Sequence, residues 1–411
     1  MEEWKEYKLG ELCNTISDTY KRGAKEVVLI NTSDVLEGKC MNHERVLNEK
    51  LKGQFKKTFQ YNDILYSEIR PANKRFAFVD FDATDYIAST KLMVLRHNDI
   101  IIPQYLFYIL KSQNVIDELQ MLAESRSGTF PQITFSELSN LSVLLPNKDL
   151  QYKIVSILSS LDDKIEVNRR INEQLEELAG ALFKSWFVDF EPFKDGEFVE
   201  SELGMIPKGW KVGTLGEYCK VKSGFAFKSS WWQDNGLKVI KIKNITSDGV
   251  LDMNDCSYVS SENTLKAKDF KTNVGDLLIA MTGATIGKFC MISSKEEMYV
   301  NQRVGKFFLG DNPILKLPFI YCTLKTERVY SEIVNKGQGS AQPNISGSDI
   351  ENIRIPLPEK VDYLLLFNEK LNSVFDKIIK NQQEIRHLTT LRDTLLPKLM
   401  SGEIDVNEVK I

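Results

Sequence analysis

The chain has 411 residues, with 53 Lys+Arg against 57 Asp+Glu for a net charge of −4, and it is 42% hydrophobic and 27% charged. That length asks for two to four domains at roughly 100–200 residues each, and the balance is that of a folded chain rather than a disordered one. No run of about 18 apolar residues exists, which excludes a transmembrane helix.

The first residues, MEEWKEYKLGE, are acidic and amphipathic, so no signal peptide is expected. Val27–Ile30 and Asn62–Ser67 are apolar runs, the second opened by a turn pair, and read as strands. Pro103–Leu119 carries apolar residues at helical spacing and predicts one helix. From 150 to 187, Ile154, Leu161, Asn168, Leu175 and Leu182 recur every seven residues, with Ile157, Ile171 and Leu178 on the neighbouring core position and Lys164 as a break. That is coiled-coil spacing. Residues 191–206 contain Pro, Gly and acidic residues without periodicity and read as a linker. The pattern then restarts. Val239–Ile242 and Gly275–Ala280 read as strands and Pro318–Val334 as a helix. Phe367, Val374, Asn381, Leu388 and Leu395 form a second seven-residue stripe, flanked by Leu371, Ile378 and Ile385.

The restart is a repeat. Trp4-Lys5, Leu9-Gly10-Glu11 and Cys13 recur as Trp210-Lys211, Leu215-Gly216-Glu217 and Cys219. Asp63-Ile64-Leu65 recurs as Asp276-Leu277-Leu278, Pro131-Gln132-Ile133-Thr134 as Pro343-Asn344-Ile345-Ser346, and Asp163-Lys164-Ile165 with Asn168 as Asp376-Lys377-Ile378 with Asn381. Matches in one order make the chain a tandem duplication of a mixed α/β part followed by a helix. Its divisions are 1–147, 148–190, 191–206, 207–358 and 359–411, with net charges of −2 for 1–147, −6 for 148–206, +5 for 207–358 and −1 for 359–411. Asn168 and Asn381 hold equivalent core positions; if the helices pack antiparallel about a pseudo-twofold axis, the two should meet near it and fix register.

Motifs for catalysis fail one by one. Gly283 to Lys288 has three residues between its glycines where a phosphate loop needs four, and Phe289 replaces the hydroxyl that binds Mg²⁺. Gly337-Gln338-Gly339 lacks the third glycine of a dinucleotide fingerprint. The six cysteines, at 13, 40, 219, 256, 290 and 322, form no CxxC pair, and Cys40 with His43 is half a zinc motif; a reduced, cytoplasmic protein is expected. Three histidines, His43, His97 and His387, are too dispersed for a triad. Asp18, Glu37 and Lys39 imitate a nuclease cluster, but the second half has no equivalent.

What remains are polar, basic and glycine-rich segments at equivalent places in both halves. Glu68 to Phe76, with Arg70, Asn73, Lys74 and Arg75, follows one strand; Met281 to Phe289, with Thr282, Thr285 and Lys288, follows its twin. Arg126, Ser127 and Thr129 precede one Pro-x-Ile-Thr/Ser segment, which reads as a strand, and Lys336, Gln338, Ser340 and Gln342 precede the other. Lys91 pairs in position with Gln302 and Arg303, and Lys222 and Lys228 flank Gly224-Phe225-Ala226-Phe227. Arg, Lys, Asn and Gln bond base edges in pairs, and hydroxyls suit phosphates. Different sequences on one repeated frame suggest two sites of one design reading two targets. Arg75→Ala is expected to weaken binding to one target by about 1–3 kcal/mol if Arg75 contacts a base.

Three segments then resemble a known family. Leu161 to Asn172, running into Ala181 to Phe190, resembles the central conserved region of type I restriction–modification specificity subunits. Gly204 to Trp210 resembles the start of their second target-recognition domain, and Leu391 to Asp405 their C-terminal conserved region; Gln342 to Ser346 is also similar to that family. The first half departs by beginning at Trp4 without the Pro-x-Gly that precedes Trp210. The resemblance implies an α+β fold: two mixed α/β target-recognition domains, 1–147 and 207–358, held apart by two long antiparallel coiled-coil helices. Each domain would read one half of a split asymmetric site on double-stranded DNA. Two DNA-methyltransferase subunits would dock on the helices, with restriction subunits joining. The chain itself would be non-catalytic and bind no cofactor or metal; S-adenosylmethionine, and ATP with Mg²⁺ for restriction, would sit on the partners. The rival expectations are a scaffold that joins proteins through its coiled coil without DNA, and a metal-dependent nuclease.

Overall fold

The computed structural model describes residues 4–49, 53–125, 131–246, 249–337, 343–406 and 409. Contacts divide the chain into two units, residues 1–164 with 388–411, and residues 165–387.

In the first unit an antiparallel sheet runs in the order Cys13–Ile16, Leu92–His97, Ile64–Ser67, Phe76–Phe78, with Leu95 opposite Ile64. A second sheet runs Arg45–Leu47, Glu26–Ile30, Tyr86–Ser89, Phe55–Lys57, and its central pair is parallel. Val28, Ile30, Leu65, Ala88 and Val94 fill one core. The alternate side chains of the same strands, Ile64, Tyr66, Met93 and Leu95, join Tyr105, Leu106, Ile154, Leu158, Leu396 and Leu399 in the other. Strands buried on both faces explain why their sequences read as continuous apolar runs rather than alternating ones.

The second unit repeats the plan. Its sheets run Lys220–Ser223, Val304–Phe308, Leu277–Ala280, Phe289–Met291 and Ser257–Val259, Leu237–Ile240, Met298–Val300. The parallel pair recurs between Leu237–Ile240 and Met298–Val300. A single bridge from Lys271 to Tyr299 stands where the first unit has its Phe55–Lys57 strand. Trp210–Thr214 pairs with Arg354–Pro358 as Lys5–Lys8 pairs with Ser142–Leu145.

Four expectations change. Pro103–Leu119 is two helices, Pro103–Lys111 and Gln113–Ser125, broken at Ser112, which is extended at ψ 141° and donates its hydroxyl to the Ile109 carbonyl at 2.7 Å. Thr326 breaks the twin in the same way, donating to Thr323 at 2.7 Å. A side chain bonded back to the preceding turn offers the backbone an alternative to continuing the helix. Pro131–Thr134 and Pro343–Ser346 are not strands. Each makes one bridge, Gln132 to Ile69 and Asn344 to Thr282, and a short helix then begins. Glu137 accepts from the Thr134 N–H at 2.6 Å and Asp349 from the Ser346 N–H at 2.9 Å, the reciprocal half of a capping box. The 191–206 segment, expected as a linker, holds a hairpin in which Phe198–Ser201 pairs with Gly204–Pro207. Phe190 and Phe193 anchor its approach on Trp210, with ring centroids 5.2 and 5.1 Å away.

The fourth change is in the long helices, Lys148–Phe187 and Asp362–Met400, each about 60 Å at 1.5 Å per residue. Ile154, Leu161 and Asn168 are buried on the first helix and Phe367 and Asn381 on the second; Leu175, Leu182, Val374, Leu388 and Leu395 are half-buried. The neighbouring stripe on the first helix is Gln151, Leu158, Ile165, Asn172 and Ala179, one residue beyond the expected Ile157, Ile171 and Leu178. Ile157 and Ile171 are half-buried, Leu178 is 54% exposed, and Lys164 faces solvent off the stripe. Within the second unit, Asn168 Nδ2 donates to Glu384 Oε2 at 2.9 Å and Asn381 Nδ2 to Asn172 Oδ1 at 2.8 Å. The helices therefore run in opposite directions there, and each of the two equivalent Asn meets a residue one turn from the other Asn rather than the other Asn itself.

Candidate nucleic-acid interface

The loops that follow the twin strands Ile64–Ser67 and Leu277–Ala280 place positive φ at the same two positions, four residues apart. Arg70 and Lys74 have φ of 45° and 53° and bracket the 3-10 turn Pro71–Asn73. Gly283 and Gly287 have φ of 71° and 86°; Gly283 opens the turn Gly283–Thr285 and Gly287 lies two residues beyond it. Each loop is pinned at equivalent points. The Arg70 N–H donates to the Pro131 carbonyl at 3.1 Å and the Gly283 N–H to that of Pro343 at 2.9 Å; Ile133 and Ile345 return bonds to Glu68 and Met281 at 2.8 and 3.0 Å.

The candidate side chains fall into three groups. Arg70 and Asn73 are exposed and Lys74 half-buried, and among the described residues none of the three side chains bonds to another group of the chain. Others are engaged. Arg75 Nη1 donates to the Ser33 and Val35 carbonyls at 3.0 and 3.4 Å. Lys91 Nζ donates to Gln132 Oε1 at 3.1 Å and lies 3.7 Å from Glu68. Lys336 pairs with Glu332 at 3.4 Å, and Thr285 donates to the Thr282 carbonyl at 3.1 Å. Thr282 Oγ1 is buried without a partner, Lys288 is half-buried, and Gln302 and Arg303 stand exposed between Met298–Val300 and Val304–Phe308. Arg126, Ser127, Thr129, Gln338, Ser340 and Gln342 lie outside the described residues.

The third group sits over aromatic rings, all in the second unit. Lys222 Nζ is 5.0 Å from the Phe308 ring centre, and Lys228 Nζ is 5.4 Å from that of Trp231. Lys241 lies 3.7 Å from the centre of Trp232, and its pKa is pushed down, first by burial and then by Lys243. Lys241 and the Trp231-Trp232 pair escaped the sequence reading. Two adjacent tryptophans on a segment with Lys228 were the available signal, because exposed aromatic–cation pairs suit nucleic-acid surfaces.

The rejected catalytic motifs scatter. Asp18 lines a cleft of about 630 Å³ with Tyr20, Arg22, Tyr61 and Asp85, and neither Glu37 nor Lys39 reaches it. His43 Nδ1 lies 2.9 Å from the Tyr86 hydroxyl, while Cys40 Sγ contacts the Asn42 carbonyl. Burial pushes the Cys13, Cys219, Cys290 and Cys322 thiols up to about 12, far from the thiolate form a nucleophile needs. Among the described residues no group of three metal-ligating side chains assembles, and no helix is long and apolar enough to cross a membrane.

Comparison with known proteins agrees with the repeat. The family described as the type I restriction modification DNA specificity domain matches residues 1–177 and again 207–390. The HindI specificity subunit of a type I restriction enzyme from Haemophilus influenzae is 34% identical, over 98% of this chain and 100% of that protein. The MjaIX specificity subunit of Methanocaldococcus jannaschii is 33% identical over 76% of this chain and 71% of its own. A crystal structure of a type I S subunit from M. genitalium has a similar fold, with a TM-score of 0.58 at 19% identity, covering 97% of this chain and 96% of that one.

Proposed function

The chain belongs to the type I restriction–modification specificity subunits, which are non-catalytic, and from that premise we propose that it reads a bipartite, asymmetric site on double-stranded DNA with one globular part per half-site. One observation carries the reading. A single fold occurs twice, and its twin loops, pinned at equivalent points and with positive φ at equivalent positions, carry different side chains, Arg70, Asn73 and Lys74 in one and Gly283, Gly287 and Lys288 in the other. Two copies of one reader with different contact residues suit two half-sites of different sequence.

In this proposal the two long helices form an antiparallel coiled coil that sets the spacing between half-sites. Two methyltransferase subunits, which hold S-adenosylmethionine, dock on the chain, and restriction subunits with ATP and Mg²⁺ join them in the cytoplasm. The stripe from Ile154 to Leu182 and from Phe367 to Leu395 serves helix packing, since those side chains are buried or half-buried in the chain's own cores. The exposed large hydrophobic residues of the helices are instead Tyr152, Val167, Leu178, Tyr363, Leu365 and Leu366, and these suit a protein partner.

Sequencing N6-methyladenine across the host genome with and without the gene tests the proposal. Loss of methylation at one split motif supports it and reveals both half-sites and their spacing. An unchanged methylome overturns it.

A further inference from the structure

Arg70 and Lys74 hold a backbone conformation that disfavours side chains. At positive φ the Cβ of an L-residue crowds the following carbonyl, and glycine is the residue that occupies the region freely. The second unit shows what the loop needs. Gly283 and Gly287 stand at the same two positions, four residues apart, both at positive φ, with Gly283 bonded to Pro343 as Arg70 is to Pro131 and Ile345 bonded to Met281 as Ile133 is to Glu68. At Gly283 a Cβ would meet nothing within 4 Å, so its glycine answers to the backbone alone, whereas at Gly287 a Cβ would also press on Tyr330 and Val334 at 3.2 Å. The first unit accepts two strained residues where its own duplicate shows that glycine serves.

Among the described residues nothing gains from those side chains. Arg75, next in the chain, is tied to the Ser33 and Val35 carbonyls, and Lys91 to Gln132. The side chains of Arg70 and Lys74 bond to nothing among the described residues, and they stand three and seven residues beyond the end of a buried strand, Ile64–Ser67, that fixes their place. Backbone strain that the structure does not use for itself marks a site that acts on something else.

We propose that Arg70 and Lys74 are DNA contacts of the first half-site, retained against backbone strain for their charge, while the twin loop approaches its half-site with an uncharged Gly283–Gly287 frame. This deepens the DNA reading above and rests on it. It makes the two halves of the protein unlike: the first half-site is held by two cations from the loop, and its binding depends more steeply on salt.

The test exploits the sign of the glycine effect. R70G/K74G relieves the strain and removes both charges; R70A/K74A removes the charges and keeps the strain. Each variant, as the full chain, replaces the wild type in the host, and the N6-methyladenine motif is read beside thermal unfolding of the purified chain. The expected result is an unfolding temperature for R70G/K74G equal to or above that of wild type. With both variants, methylation at the motif falls by about tenfold or more, or base preference relaxes in one half while the other stays intact. G283A, which adds a side chain at a φ of 71° with open space around it, lowers the unfolding temperature. The proposal is overturned if both variants leave the methylome unchanged, if R70G/K74G unfolds at a lower temperature, or if base preference relaxes in the second half of the motif as much as in the first. If deleting the wild-type gene changes no methylation, the DNA reading fails and this proposal with it.

Discussion

The ends of the two long helices meet their globular parts in two different ways. In the first unit Asp162 accepts from Arg392 at 2.7 Å, the Tyr108 hydroxyl at 2.8 Å and Lys111 at 3.0 Å. Burial alone would raise the Asp162 carboxyl, but Lys111 and Arg392 outweigh it and hold the pKa below the ordinary value. Burial in turn lowers the pKa of Lys111. At the same place in the second unit stand Phe375, Cys322 and Ala179, all buried, with Tyr321 5.1 Å from the Phe375 ring. Around them Phe187 packs edge-on against Phe319 and Phe367, both centroids 4.9 Å away. Lys325, which ends its helix as Lys111 does, pairs with Glu176 instead, so one duplication puts a shared carboxylate in one unit where the other has an aromatic core with an ion pair at its edge. A buried ion cluster is fragile to the loss of one member yet replaceable as a whole by apolar residues. An aromatic core is sensitive to volume instead. The duplication fixes where the helices are gripped and leaves open by what chemistry.

Phe375→Ala should do the most damage, about 4 kcal/mol, through the cavity it opens in the second unit. Four of the five tryptophans (186, 210, 231 and 232) lie in that unit, so urea unfolding followed by tryptophan fluorescence reads it. A loss under about 1 kcal/mol would mean the aromatic core collapses around the gap. Asp162→Ala should follow at about 3 kcal/mol, because it leaves Lys111 without its carboxylate and Arg392 with Asp393 alone. Amide hydrogen exchange in Pro103–Lys111 measures it. The triple replacement D162F/K111M/R392A, which places the second unit's Phe and Ala at two of the positions and removes the third charge, should recover most of that loss; failure to recover would show that an apolar grip cannot replace the ion cluster there. A smaller, pH-dependent effect belongs to the Asp162 cluster. The folded Asp162 carboxyl binds its proton less tightly than the unfolded one. Its contribution is therefore complete above a pH of about 4 and is lost as the pH falls below that value. Unfolding in urea across that range should show the loss in wild type and not in Asp162→Asn. Smallest is Arg75→Ala, expected to weaken the first unit by about 1 kcal/mol through the freed Ser33 and Val35 carbonyls. A loss of DNA affinity with stability untouched would return Arg75 to the role its sequence suggested.

Local periodicity and chain order were enough to establish the duplication, the strands at Ile64–Ser67 and Leu277–Ala280, and the existence of both long helices. The sequence also marked the twin loops as the variable part of a repeated frame. Only tertiary structure decided which of two adjacent apolar positions faces the partner helix. Ile157 and Leu158 are alike to a periodicity argument, and the choice fell to Leu158 with Asn172 and Ala179 because Asn172 meets Asn381 across the pair. It decided that Ser112 and Thr326 end helices rather than sit inside them, since that depends on where each hydroxyl bonds. And it decided that Arg70 and Lys74 are held left-handed, a fact no composition reveals: the pinning bond of the Arg70 N–H reaches Pro131, far along the chain, and long-range contacts of that kind are what local sequence cannot encode.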